Sequence, residues 1–262
     1  MGQILLRLSN SKCHEMAVKE PFKSKFKDKA VVDIHRRVDY AYNPNIWQKV
    51  MKTQITLSTK SRTPIHRDDP LHYVSNIEID ILHGEEQEII GIARVFEVRM
   101  DQIVNDGEWS LFDAFDSHSS DLSGLYEELF DDDELNPAVA DELMDYGNVV
   151  LIKSIVLMPE YRGQGLGGLL ALAIAELFNA SDIVALKPWP MNDNDRDCSA
   201  GGWLPPALPK AQQKTVASKL RKGYMKAGFK PLFRGSDHLL LTHFRHPTAT
   251  DLIERRPYRI KF

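Results

Sequence analysis

The residues best suited to chemistry in this 262-residue chain lie between Ser154 and Phe178. Arg162-Gly163-Gln164-Gly165-Leu166-Gly167 follows an apolar, β-prone run, Val149–Leu157. It precedes an apolar segment with no internal Pro or Gly, from Leu169 to about Phe178. A strand, a glycine turn and a helix start together make an anion cradle. The first N–H groups of a helix lack internal partners, and the macrodipole makes that end partly positive. Glycines let the main chain approach a phosphate with no side chain between them. The segment is therefore expected to hold a phosphorylated ligand.

Two ligands compete for it. Gly163-x-Gly165-x-x-Gly168 matches the dinucleotide fingerprint. However, Met158-Pro159-Glu160-Tyr161-Arg162 separates these glycines from their strand, and Asp182 begins the next apolar run, Asp182–Leu186, where the fingerprint wants an acid at its end. The other reading includes Arg162. Arg-x-x-Gly-x-Gly over Arg162–Gly167, after an apolar strand and a proline, resembles the acetyl-CoA pyrophosphate loop of the GNAT N-acetyltransferase superfamily. Tyr224-Met-Lys-Ala-Gly228-Phe229, ending a helical run at about Lys210–Ala227, resembles that superfamily's Y-x-x-x-G-F element. The order of elements is similar as well, and the resemblance spans about Tyr73–Phe244. Each motif also has a plain reading. Arg162–Gly167 reads as a glycine-rich helix start, although alternating glycines cost backbone entropy that a mere turn does not require. Tyr224 reads as an aromatic near a helix end, with Gly228 as a left-handed cap and Phe229 packing back.

The resemblance implies transfer of an acetyl group from acetyl-CoA to an amine by direct attack in a ternary complex. The acceptor is open between an amine-bearing small molecule and a protein lysine or N-terminus. Main-chain groups of Ile155, Val156 and Leu157 would bind the pantetheine arm, with the Leu157 amide or a neighbour facing the thioester oxygen. The amides of Arg162, Gly163, Gln164, Gly165, Leu166 and Gly167 would hold the pyrophosphate, Arg162 adding charge. Tyr224 would protonate the departing thiolate, since a phenol of pKa ~10 stays protonated at neutral pH. Members often carry a basic Glu on the strand before the loop. Here VVLIKSIVL holds no acid, and Lys153 and Ser154 take its middle. Glu97, Asp113, Asp116 and His118 are the candidate bases, each also readable as an ordinary surface or structural group. Ala217 stands where many members carry an Asn. The missing acid keeps a second reading open, a non-catalytic acyl-CoA-binding module for regulation or protein interaction.

The elements that must position these groups follow from pattern. Tyr73–Leu82 and Glu88–Met100 alternate apolar and polar residues about a turn at His83-Gly84-Glu85-Glu86, which reads as an antiparallel hairpin. Val31–Tyr42 and Thr53–Ser58 read as further strands, with a short helix near Ile46–Lys52 after Asn43-Pro44 and a loop at Thr63–Pro70. Leu111–Met144 has helical spacing. Pro188–Pro209 is too long for a plain connector and reads as a substrate wall or lid. His238–Phe244 reads as the last strand. The expected fold is mixed α+β, with a central, mostly antiparallel sheet and helices on both faces. Residues 1–70 form an N-terminal arm with the first strands, 71–246 the core with an acidic helical insertion at 106–145, and 247–262 a basic tail.

Composition limits the function. The apolar fraction of 43% and charged fraction of 27% are ordinary for a water-soluble domain. No apolar run is long enough to span a membrane. The two cysteines, Cys13 and Cys198, are far apart, which suits a reducing, cytoplasmic setting and excludes a disulfide scaffold. The scattered histidines give no metal-ligand spacing, and no metal is expected. The net charge of −4 hides an asymmetry: 14 carboxylates and no Lys or Arg lie between Asp106 and Asp145, which leaves the remainder near +10. Near a cleft, such carboxylates would attract a cationic acceptor; otherwise they form a solvated helix face. Lys19–Arg37 is basic, yet without a fuller aromatic-basic surface nucleic acid is not the expected partner. A homodimer stays open.

Overall fold

The run Val149–Leu157 is apolar on both of its faces, and it lies inside an eight-stranded sheet that lets both be buried. The computed structural model describes residues 31–39, 55–64, 69–84, 86–140, 147–178, 183–192 and 201–241. Its strands are β1 (Val31–Asp39), β2 (Ile55–Pro64), β3 (Val74–His83), β4 (Glu88–Val98), β7 (Val149–Leu157), β8 (Ile183–Leu186), β9 (Lys230–Pro231) and β10 (Leu239–Leu241). Their order is β1-β2-β3-β4-β7-β8-β10-β9. Every neighbouring pair is antiparallel except β7–β8, which is parallel. A small separate hairpin pairs β5 (Phe130–Asp131) with β6 (Glu134–Leu135).

Strand periodicity divides the core cleanly into two layers. Val150, Ile152, Val184, Leu186, Leu239 and Leu241 face one side, with α5 (Leu166–Ala175) and Phe229, which follows α6 (Lys210–Lys226). Val149, Leu151, Ile183, Ala185 and Leu240 face the other, against α1 (Met100–Asp106), α2 (Leu111–Asp116) and α3 (Ser120–Leu129). The fold is thus the expected mixed α+β arrangement with helices on both faces. Helix α5 is apolar all round and buried on nearly every position, as a helix must be when it has no polar stripe to turn to water.

Some boundaries differ from the sequence reading. Strand β2 runs on to Pro64 and pairs with β3, and β1 pairs with β2, so one sheet crosses the boundary drawn at residue 70. The helical reading of Leu111–Met144 is broken at residues 130–135, where Asp132 and Asp133 take φ of 49° and 63° to turn the β5–β6 hairpin. Short polar side chains are among those that tolerate this left-handed region. The helix after β6, α4, covers Pro137–Ala140. Met100 opens α1 instead of closing a strand, and Gly107 ends that helix at φ 64°. Helix α5 begins at Leu166, three residues before the expected Leu169. The proposed helix at 46–52, the basic segment before β1 and the basic tail lie outside the described residues.

The acidic segment is not wholly a solvated face. Glu128 on α3 accepts hydrogen bonds from the Ser236 hydroxyl, from the Asp237 N–H at 3.0 Å and from the His238 N–H at 3.4 Å. Buried His238 brings Nδ1 to 3.1 Å from the same carboxylate, without the alignment of a straight hydrogen bond. One carboxylate therefore fastens the acidic helices to the approach of β10.

Candidate functional site

Strand β7 parts from β8 partway along its length. The parallel ladder runs from Val149↔Ile183 to Ile152↔Leu186 and stops there. On its other edge β7 stays paired with β4 as far as Leu157↔Gly91. The register against β4 shifts between Arg94↔Ser154 and Val95↔Ile152, so Lys153 is an extra residue on β7. Such a bulge bends the strand and raises its twist, and it falls directly after the last rung shared with β8. The branch and the bulge are one local event.

Planar peptides fix where the released groups point. Met158 donates its N–H to the Ile90 carbonyl at 2.9 Å, so the Leu157 carbonyl in that peptide faces away from β4. The Val156 carbonyl lies against Gly91 on β4, which turns the Leu157 N–H the same way. Strand alternation gives the Ile155 N–H that direction too. Both amides lie beyond the last rung with β8. Gly91 makes the close approach possible: a Cβ there would sit 2.8 Å from the Val156 oxygen and 2.7 Å from a Leu157 methyl.

The glycine turn follows at once. Pro159–Tyr161 makes a single 3-10 turn, and Gly163 and Gly165 adopt φ of 73° and 83°, conformations costly for any residue with a Cβ. The turn is open, for a Cβ on Gly163 would meet nothing within 4 Å. Gly165 occupies the N-cap of α5 and supplies no side-chain cap, so the first amides of that helix are left to water or to an anion. Gly168 has a different use. A Cβ there would lie 3.1 Å from Ala227 Cβ and 3.4 Å from the Gly223 carbonyl, so its bareness lets α5 and α6 touch.

Two side chains of the turn fold back onto the main chain. Gln164 donates Nε2 to the Glu160 carbonyl at 2.7 Å. Arg162 donates Nε to the Leu157 carbonyl at 2.8 Å and Nη2 to the carbonyl of Trp203. The expected role of Arg162 as a charge on a pyrophosphate is therefore not its observed engagement.

That helix contact brings Tyr224 to the turn. A Cβ on Gly167 would lie 3.8 Å from the Tyr224 hydroxyl. The ring meets Phe229 edge-on at 6.2 Å, and the Phe229 N–H returns to the Tyr224 carbonyl at 3.2 Å. Burial pushes the phenol up to about 12, so it holds its proton across the physiological range.

The candidate bases are distributed differently. Glu97 pairs with Val150, six residues along β4 from Gly91, which is level with Leu157; that is about 20 Å along a strand. Asp113 closes a capping box at the start of α2, accepting from the Ser110 N–H at 3.2 Å and the Ser110 hydroxyl at 2.7 Å. Asp116 is exposed at the last position of that helix, which packs on the face opposite Tyr224. Asp113 and Asp116 are not carried to the branch; Glu97 lies two residues from Val95, which pairs with Ile152 where the branch begins, but far from its Leu157 end. His118 also comes near the start of the branch. Its ring lies 4.3 Å from that of Phe96, and Phe96 also carries the Lys153 ammonium over its face at 5.3 Å. Lys153 in turn lies 3.7 Å from Asp121.

Sequence reasoning did not assign Phe96, Asp121 or Trp203 to the site. Lys153 was visible as a cation interrupting an apolar strand, a signal that its surroundings are not simple core. Trp203 lies in the long Pro188–Pro209 segment, but nothing local announced that its carbonyl meets Arg162. Among the described residues no cluster of three or more His, Cys, Asp or Glu is placed to hold a metal, and no helix is long and apolar enough to cross a membrane. Comparison with known protein families, with curated proteins and with solved structures found no match to this chain.

Proposed function

We propose that this chain is an acyltransferase of the GNAT type that moves an acetyl group from acetyl-CoA to an amine. The observation that carries the reading is the branch: β7 leaves β8, turns the Ile155 and Leu157 amides away from β4 beyond the last shared rung, and runs into an open glycine turn beside the Tyr224 hydroxyl. An open strand edge pairs with extended, amide-bearing chains, and the pantetheine arm is one. The uncapped start of α5 suits its diphosphate. Bound there, the donor supplies an activated acyl carbon. The Leu157 N–H would stabilise charge growing on the thioester oxygen, an effect worth ~3 kcal/mol for one donor. Tyr224 would donate to the leaving sulfur from the α5–α6 side. His118, on the α1–α3 side, is the group assigned to take the proton of the incoming ammonium. Two distant cysteines fit a cytoplasmic setting.

A second reading, an acyl-CoA-binding module without turnover, draws on the placement of Asp113 and Asp116 away from the branch and of Glu97 about 20 Å from its Leu157 end. Calorimetric titration with acetyl-CoA, followed by thiol release with a panel of amines, separates the two. Saturable binding with amine-stimulated release supports the enzyme, and binding without release under any amine supports the module. Absence of binding at millimolar acetyl-CoA removes both.

A further inference from the structure

We propose that Arg162 is a positioning residue, a strap that ties the open end of β7 to the Trp203 segment and so builds one wall of the channel for the donor's pantetheine arm. The role of that wall rests on the acetyl-CoA reading; the strap itself is a property of the chain alone. A guanidinium presents its N–H donors in one rigid plane and suits two acceptors at once. Here Nε takes the Leu157 carbonyl and Nη2 the Trp203 carbonyl, a residue 41 positions away. The Leu157 carbonyl is the last gap-facing group of β7, so Arg162 holds Trp203 at the mouth of the branch.

The strap reaches further than its two bonds. Trp203 ends a short 3-10 turn, Gly201–Trp203, and only Leu204–Pro209 separates it from α6. Pro205, Pro206 and Pro209 stiffen that connection. Gln213 on α6 donates to the Leu208 carbonyl at 2.7 Å and fastens the connection to the helix. Arg162 thus fixes, through Trp203, the entry of the helix that carries Tyr224. Lys cannot replace it, because an ammonium is a point charge on a flexible stem and lacks the fork. An arginine that served only as a phosphate ligand would tolerate Lys far better.

Hydrogen exchange read by mass spectrometry on the whole protein, without donor, compares wild type with Arg162→Lys and Arg162→Gln. Both variants are expected to exchange roughly tenfold or more faster over residues 201–208, as the loss of hydrogen bonds to a charged group implies. Turnover is then measured with acetyl-CoA and with S-acetylpantetheine, which has no phosphate. The strap predicts that kcat/KM falls by a similar factor for both donors, roughly tenfold to hundredfold, with no rescue by Lys. Unchanged exchange at 201–208 overturns the proposal, and so does a loss confined to acetyl-CoA that Lys restores. If wild type binds neither donor, the acetyltransferase reading falls while the exchange comparison still decides the strap. Should Arg162→Lys fail to fold, Arg162→Gln retains one donor and carries the same comparison.

Discussion

Replacing Tyr224 with Phe tests what the phenol contributes. Its proton is held up to about pH 12 by burial, whereas an ordinary thiol has a pKa of ~8.5. Complete transfer of the proton from phenol to thiolate would thus run uphill by about 3.5 units, or ~5 kcal/mol at 1.36 kcal/mol per unit. Tyr224 is therefore better suited to donate a strong hydrogen bond to the sulfur than to give up its proton to it. A hydrogen bond to a charged group contributes ~1.5–3 kcal/mol, so Tyr224→Phe should lower kcat roughly tenfold to hundredfold, well short of the ~10⁴ that full acid catalysis can supply. Phe keeps the edge-on contact with Phe229 and the packing beside Gly167, so acetyl-CoA affinity should stay within about twofold, a difference of only ~0.4 kcal/mol. The protonated phenol is the active form. With its pKa near 12, no alkaline loss of activity due to Tyr224 should occur below about pH 11. Steady-state rates from pH 6 to 10, with calorimetric affinities at pH 7, measure all of this. An alkaline limb centred near pH 8–10 in wild type that vanishes in the variant would refute the reasoning. Equal losses of affinity and turnover would make Tyr224 structural.

The Glu128 anchor gives a stability prediction with a sign. Burial, the largest single influence, raises its carboxyl; bonds from the Ser236 hydroxyl and the charge and hydrogen bond of His238 outweigh it, leaving it below the usual 4.5. A depressed carboxylate stabilises the fold above its unfolded pKa, and this is lost as pH falls through the folded value. Glu128→Gln should cost ~2–3 kcal/mol at pH 7 and much less at pH 3; equal costs in denaturant titrations at both pH values would count against it. Gly91→Ala forces a Cβ into the Val156 oxygen and the Leu157 methyl, and should lower stability by ~1–3 kcal/mol, seen as a lower Tm by calorimetry. Gly165→Ala places a Cβ at φ 83° for ~1 kcal/mol and should weaken acetyl-CoA binding at least about tenfold by crowding the helix start; unaltered affinity would move the diphosphate elsewhere.

Strand β7 was legible residue for residue, because a long β-branched run flanked by a proline and glycines admits few other conformations. Helix α6 and its Tyr224-to-Phe229 ending were legible for similar local reasons. The β5–β6 hairpin was not, since Asp132 and Asp133 look like any other acids in a helical charge run until their positive φ is seen. Asp113 looked like a possible base, and its use as a helix cap depends on Ser110 three residues earlier, a pairing readable in retrospect. Arg162 shows where local reading stops. Its position in the motif was visible, but its partner lies 41 residues away, across a contact that only the assembled sheet creates.

The short parallel seam between β7 and β8 makes the sheet mechanically two leaves. On one side lie five long strands, β1 to β4 and β7, joined by eight or more rungs at each pairing; on the other lie β8, β10 and β9. Only four rungs stitch these leaves together, and at one end of the stitching they already diverge. Tension drawn between β2 and β8 would concentrate on that stitching, and the first tear would open at Ile152 and travel toward Val149.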